Sequence, residues 1–254
     1  MNTNIKAAGF SGTDSSKPSC PPSLEISARF PLSLKIGFWL CIVIAVAVVI
    51  RRLVALSTPA GPQAPPQLAA LDAWFAAHAA LTYVHILCAL VFVLLLPLLF
   101  WSRTRNSVTL ERATFFIGIL VAITAYAMSA YAVGGWVERA AVFFFNSLFL
   151  FALYRAWSFA RRGERQQKQR WMLRAIAILL GIATTRPVMG IFFATAPLTH
   201  LTPQQFFGIA FWVGFSINTL VIELWLRSRS AQTASAHNLQ PDGSRGGTKD
   251  LPAA

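Results

Sequence analysis

Six long apolar stretches, separated by short polar segments, dominate the chain between residues 34 and 227. They lie at roughly 34–56, 80–102, 113–134, 139–160, 172–196 and 206–227. Each is about 20 residues long, which at about 1.5 Å of rise per residue matches a hydrocarbon layer roughly 30 Å thick. The pattern therefore predicts an all-α fold, a polytopic bundle of about six transmembrane helices.

The segments that flank and join these stretches have a different composition. Residues 1–33 and 228–254 are polar and rich in Ser, Pro and Gly, so we expect a disordered cytoplasmic tail on each side of a single transmembrane domain, 34–227. The Pro-rich linker 57–68 cannot be helical throughout. Residues 69–80 then predict a short amphipathic lead-in to the second transmembrane helix.

Composition and charge support this membrane assignment. The chain is 56% hydrophobic and 12% charged, whereas soluble domains carry about 25% charged residues. A net charge of +13 would suggest nucleic acid for a soluble protein. Here the excess lies mainly in loops, as the positive-inside rule requires, so we predict the lipid bilayer as a partner and no nucleic acid.

The basic residues also predict the orientation in the membrane. On the predicted inner side, the two loops and the helix ends beside them carry Arg103, Arg105, Arg112, Arg155, Arg161, Arg162, Arg165, Lys168, Arg170 and Arg174. The predicted outer side holds only Arg51, Arg52 and Arg139. Because Lys and Arg accumulate in cytoplasmic loops, both termini are predicted to be cytoplasmic.

One arginine, Arg186, lies inside an apolar stretch and is followed by Pro187. An ionisable side chain at this depth normally faces the bundle interior or a wet cavity. The small residues Ala183 and Gly190 share its helix face and would let a second helix come close. Two interpretations stay open: a structural arginine bonded across helices, or a contact for an anionic ligand, lipid headgroup or substrate.

Other polar residues lie at a similar predicted depth and define, with Arg186, a candidate intramembrane polar site. They come from four other spans and are His85, Tyr126, Ser129, Asn146 and Asn218. Glu223 lies nearer the inner end, at the depth of Arg174, so these two are predicted to form a structural ion pair. Depth alone does not show that the other side chains converge.

The sequence predicts no metal, cofactor or catalytic residue. His78 and His85 are seven residues apart, hence about 10 Å apart on a continuous helix, and a site completed by His200 is only a weak alternative. Only His85 lies at membrane depth, so a haem held by two histidines cannot be built. Gly-rich phosphate loops and the HExxH and GxSxG motifs are lacking.

Three segments carry a family resemblance: VHILCALVFVLLLPLLF from Val84, RRGERQQKQRWMLRAIAILLGIATTRPVMG from Arg161, and LTPQQFFGIAFWVGFSINTLVIELWL from Leu201. Together they resemble the bacterial predicted membrane proteins of domain of unknown function 2306. The matching positions are His85, Arg170, Trp171, Met172, Arg174, Arg186, Asn218 and Glu223. Gln169 and Glu111 stand where the family pattern has histidines. The resemblance implies a bacterial inner-membrane protein and supplies no activity.

Three functions follow from these observations. We favour a non-enzymatic module that binds a small molecule or lipid, or a subunit of an envelope complex. The runner-up is a small transporter that uses a polar pocket around Arg186, because a helix broken at Arg186–Pro187 would be typical of transporters. A cytochrome-b-like redox protein ranks third, since this chain lacks a second histidine at membrane depth to hold a haem. A homodimer is left open.

Overall fold

Every element that the structure describes is a helix. The computed structural model describes residues 31–58, 66–100, 107–200 and 202–238. The helices are α1 (Leu32–Ser57), α2 (Pro66–Ala76), α3 (Ala79–Phe100), α4 (Val108–Ser129), α5 (Gly135–Arg161), α6 (Arg165–Thr199) and α7 (Pro203–Asn238). All of them except α2 are long and apolar enough to cross a membrane, so the prediction of an all-α bundle with six spans is confirmed.

The six long helices alternate in direction, which gives the bundle two distinct ends. The α2 end is where α1, α4 and α6 finish and α3, α5 and α7 begin. The basic end is where α5 finishes and α6 begins. α6 packs extensively against α7 and α5, while α1 packs on α3 and α6. Large apolar side chains such as Phe116 and Leu224 point outward, as expected for helices in contact with lipid.

The third predicted span, 113–134, is displaced by about one turn and a half. The structure begins α4 at Val108, where Ser107 caps the helix by accepting a hydrogen bond from the Leu110 N–H at 3.3 Å. The helix ends at Ser129, and Gly135 opens α5 with a φ of +61°. A left-handed φ suits glycine because it has no Cβ. The turn is therefore 130–134, and Glu138 lies within α5.

The segment 69–80 is not a continuous lead-in to the second span. α2 ends at Ala76, a turn follows at Ala77 and His78, and α3 begins at Ala79. His78 and His85 consequently do not share one helix, which corrects the spacing expected from the sequence. The first 30 residues and 239–254 lie outside the described residues, as do 101–106, and α7 extends past the predicted boundary at 227.

α6 runs without interruption through Arg186 and Pro187. Proline removes the hydrogen bond to the Ala183 carbonyl, yet the surrounding helix persists. The helix break that favoured a transporter is therefore not formed. The prediction that a second helix comes close at Gly190 is also wrong, because a Cβ there would meet nothing within 4 Å. α6 instead approaches α7 closely along another face, at Gly181.

Candidate functional site

A cavity of about 240 Å³ opens in the α2 end of the bundle, and every helix contributes to its wall. Most of the lining is aliphatic or aromatic, including Val93, Phe145 and Phe149. Its polar or ionisable side chains are Arg52, Thr82, His85, Ser129, Tyr131, Glu138, Asn146 and Arg186. An apolar pocket with a few convergent polar groups is the usual form of a small-molecule site.

Arg186 presents a charged group without a counter-ion to this cavity. Its Nη1 has a single long contact, 3.9 Å to the Met189 sulfur, and its Nε is buried with no hydrogen-bond partner in the described part of the chain. No carboxylate among those residues lies within ion-pair distance of it. A guanidinium keeps its charge in proteins, so the group requires either water or an anion.

Glu138 is the one acidic side chain among the residues that line the cavity, and the sequence analysis missed it. The carboxylate Oε2 accepts a hydrogen bond from the Gly134 N–H at 2.6 Å, which holds it at the α4–α5 turn. Glu138 attracts Arg186 electrostatically without contacting it, whereas Arg51 and Arg52 repel it. Predicting the turn at the Gly134–Gly135 pair would have moved Glu138 from a loop into the helix.

Three of the five predicted companions of Arg186 line the cavity: His85, Ser129 and Asn146. His85 Nδ1 lies 2.9 Å from the Thr124 hydroxyl, and this hydroxyl donates its proton to the Leu120 carbonyl at 2.8 Å. With the Thr124 proton on the Leu120 carbonyl, Nδ1 is the donor in the His85–Thr124 bond, which leaves Nε2 available to a ligand. The Asn146 amide donates to the Ala122 carbonyl at 2.9 Å and keeps its own oxygen as an acceptor.

The other two predicted companions, Tyr126 and Asn218, do not line the cavity. The Tyr126 hydroxyl pairs with the exposed Ser147 hydroxyl at 2.7 Å on the outside of α4 and α5. Asn218 accepts a hydrogen bond from the Thr184 hydroxyl at 2.7 Å, between α6 and α7. Equal depth in the bundle thus did not mean a shared site, because the helix faces differ.

The helix α2, which we call the roof helix, contributes Phe75 to the cavity wall and is tied to α1 by an ion-pair cluster. Arg52 Nη1 donates to Asp72 Oδ1 at 2.6 Å, and Arg51 Nη2 donates to Asp72 Oδ2 at 3.3 Å. The Arg52 guanidinium also lies 4.0 Å from the ring centre of Phe75, another lining residue. Trp74 Nε1 donates to the Tyr131 carbonyl at 2.9 Å. The roof helix is therefore held by these polar contacts together with the packing of Leu71 against α6 and α7.

A separate charged cluster occupies the basic end, away from the cavity. Arg174 Nε donates to Glu223 Oε2 at 2.8 Å, so the two predicted partners are brought together. Arg227 holds the second carboxylate oxygen at 3.0 Å, and the Arg174 guanidinium lies 4.7 Å from the Trp171 ring. This arrangement joins α6 to α7.

The histidines do not assemble into a metal site. The His78 ring lies 3.8 Å from the Tyr131 ring, and His85 is bonded to Thr124 as described above. In the ranges that the structure describes, no three His, Cys, Asp or Glu side chains are grouped to hold a metal ion.

The fold and the cavity define a class of protein, a six-span helical membrane protein with a buried arginine facing an internal pocket. The chain belongs to the predicted membrane protein family DUF2306, whose model matches residues 82–226. The match covers His85, Glu138, Asn146 and Arg186 and leaves out α1 and α2. No curated protein and no solved structure matches the chain.

Proposed function

We propose that the protein is a membrane-embedded binding module for a small amphiphilic anion, whose acidic group pairs with Arg186. The unpartnered guanidinium carries this proposal. A buried charge without a counter-ion costs several kcal/mol, and an anion in the cavity would offset that cost.

The charges around the cavity favour an anion over a cation. Four arginines interact with one another or with the two carboxylates at this end: Arg51, Arg52, Arg139 and Arg186. The two carboxylates belong to Asp72 and Glu138. With both ionised, positive charges exceed negative ones by two, so a carboxylate or phosphate brings the region closer to neutrality.

The size and surface of the cavity restrict the rest of the ligand. A volume of about 240 Å³ is enough for several water molecules or a small organic ligand. It falls below the roughly 300–1,000 Å³ of pockets for drug-sized ligands, so a whole phospholipid does not fit inside. Because the walls are mainly apolar, the ligand should carry a compact apolar body beside its acidic group.

The serine and threonine hydroxyl groups in the wall support a binding role rather than nucleophilic chemistry. Ser129 donates to the Tyr126 carbonyl at 2.6 Å, and Thr82 donates to the His78 carbonyl at 3.0 Å. These protons are committed to the helix backbone. His85 Nε2 and the Asn146 oxygen remain to orient the polar end of a ligand.

Benzoate is a suitable probe, because a cavity of about 150 Å³ can already hold benzene. Binding would be measured calorimetrically with the protein in phosphatidylcholine nanodiscs, with the neutral benzyl alcohol as reference. We expect benzoate to bind more tightly than benzyl alcohol, and Arg186→Gln to weaken benzoate by at least about tenfold. Arg165→Gln, at the opposite end of α6, is the matched control. Equal effects of the two substitutions would contradict the proposal.

The proposed setting is the bacterial inner membrane with both termini in the cytoplasm. Family membership supports a membrane location, and the distribution of Lys and Arg supports the orientation. In this orientation the cavity and its roof helix lie in the outer half of the membrane.

A further inference from the structure

Arg52 belongs both to the cavity wall and to the contact that holds the roof helix. Its side chain is only 12% exposed and lines the same cavity as Arg186. Its only ion-pair partner among the described residues is Asp72, on α2. The neighbouring Arg51 shares this partner but is 50% exposed and does not line the cavity.

The two lining arginines make a natural pair of contacts for one anion. Arg52 and Arg186 line the same cavity, and their like charges repel each other. An acidic group bonded to both guanidinium groups would convert this repulsion into two attractions. A guanidinium has five N–H donors, and a carboxylate can accept from two arginines at once.

We propose that Arg52 is the second contact for the ligand's acidic group, and that this group displaces Asp72 and thereby releases α2. The inference rests on the proposed function and adds a gate to it. Asp72 is the internal competitor of the ligand, because both are anions that bind the same guanidinium. Once Arg52 turns to the ligand, Asp72 keeps only Arg51.

The remaining attachment of α2 would be weak enough to open. The Arg51–Asp72 contact is 3.3 Å long and half-exposed, and pairs of this kind contribute little in water. The other attachments are the Trp74 hydrogen bond to Tyr131, the long Thr82 hydrogen bond to the Phe75 carbonyl, and the packing of Leu71 against α6 and α7. Ligand binding and roof opening are therefore linked through one side chain, as differential binding to two states requires.

Three substitutions at this cluster test the competition, with benzoate as the probe in phosphatidylcholine nanodiscs. Arg52→Gln should weaken benzoate binding by at least about tenfold, as loss of a charge-assisted contact does. Asp72→Asn should tighten it about three- to tenfold, because the competitor loses its charge. Arg51→Gln, the matched control, should change the affinity by less than about threefold. Equal effects at Arg51 and Arg52, or weaker binding in Asp72→Asn, would overturn the inference.

Hydrogen–deuterium exchange of the unmodified protein tests the gate without any substitution. Saturating benzoate should accelerate amide exchange in residues 66–76, whereas a roof that closes over the ligand would slow it and refute the inference. If benzoate binds through Arg186 but exchange and the Arg52 series fail, only the gate is wrong. If benzoate binds no better than benzyl alcohol, the proposed function fails, and the gate with it.

Discussion

Arg186 and Arg174 show how differently two arginines of one helix can be used. Arg174 is bonded to a carboxylate and lies beside an aromatic ring, so its charge contributes to the joint between α6 and α7. Arg186 has neither kind of partner in the described residues and faces a cavity. Removing an unpaired buried charge does not break an existing interaction. The two residues should therefore respond oppositely to the same substitution.

Arg186→Met is expected to leave the free energy of unfolding unchanged or to raise it by about 1 kcal/mol, while abolishing benzoate binding. Arg174→Met should lower the stability by about 1 kcal/mol, because Glu223 loses its better-buried partner. Thermal unfolding in a non-ionic detergent measures both. A loss of several kcal/mol in Arg186→Met would identify the arginine as a structural bridge between helices instead.

At the scale of elements, glycines allow α6 and α7 to pack closely beside the site. A Cβ on Gly181 would lie 2.9 Å from the Cα atom of Phe215, and one on Gly214 would lie 2.7 Å from the backbone nitrogen of Thr185. Backbone atoms cannot move aside as a flexible side chain can. The contact therefore fixes α6 against α7 within two turns of Arg186.

Gly214→Ala should force the two helices apart and destabilise the bundle by about 1–3 kcal/mol, as overpacking does. Gly190→Ala is the matched control, because its new methyl group would meet nothing within 4 Å and alanine is the better helix former. Its stability should be equal or up to about 1 kcal/mol higher. Both are read from unfolding midpoints in the same detergent, and the reverse order would contradict the packing described.

The helices could be predicted from the sequence because a long apolar run marks each membrane span. All six spans were found, and the error in the third arose because its apolar run continues through Tyr131 and Val133 past the true helix end at Ser129. The site was harder, because depth follows from position along a helix whereas convergence depends on helix rotation. His85 and Asn146 lie on helix faces that line the cavity, whereas Tyr126 lies on a face that does not.

At the scale of the whole molecule, the orientation can be tested directly by labelling two turns at opposite ends of the bundle. In a variant without native cysteines, Ala130→Cys should react with a membrane-impermeant maleimide added to intact cells. Glu164→Cys should react only after permeabilisation, because its turn lies at the basic end, which the positive-inside rule places in the cytoplasm. The opposite labelling pattern would invert the proposed topology and place the cavity in the inner half of the membrane.

The ion pair between α1 and α2 has a further consequence for how the chain enters the membrane. With cytoplasmic termini, the end of α1 carries Arg51 and Arg52 outward, against a membrane potential that is negative inside. Each positive charge costs about 2.3 kcal/mol for every 100 mV. Asp72 follows the two arginines to the same side and cancels one of their charges. The roof helix thus halves the net electrical work of translocating this hairpin.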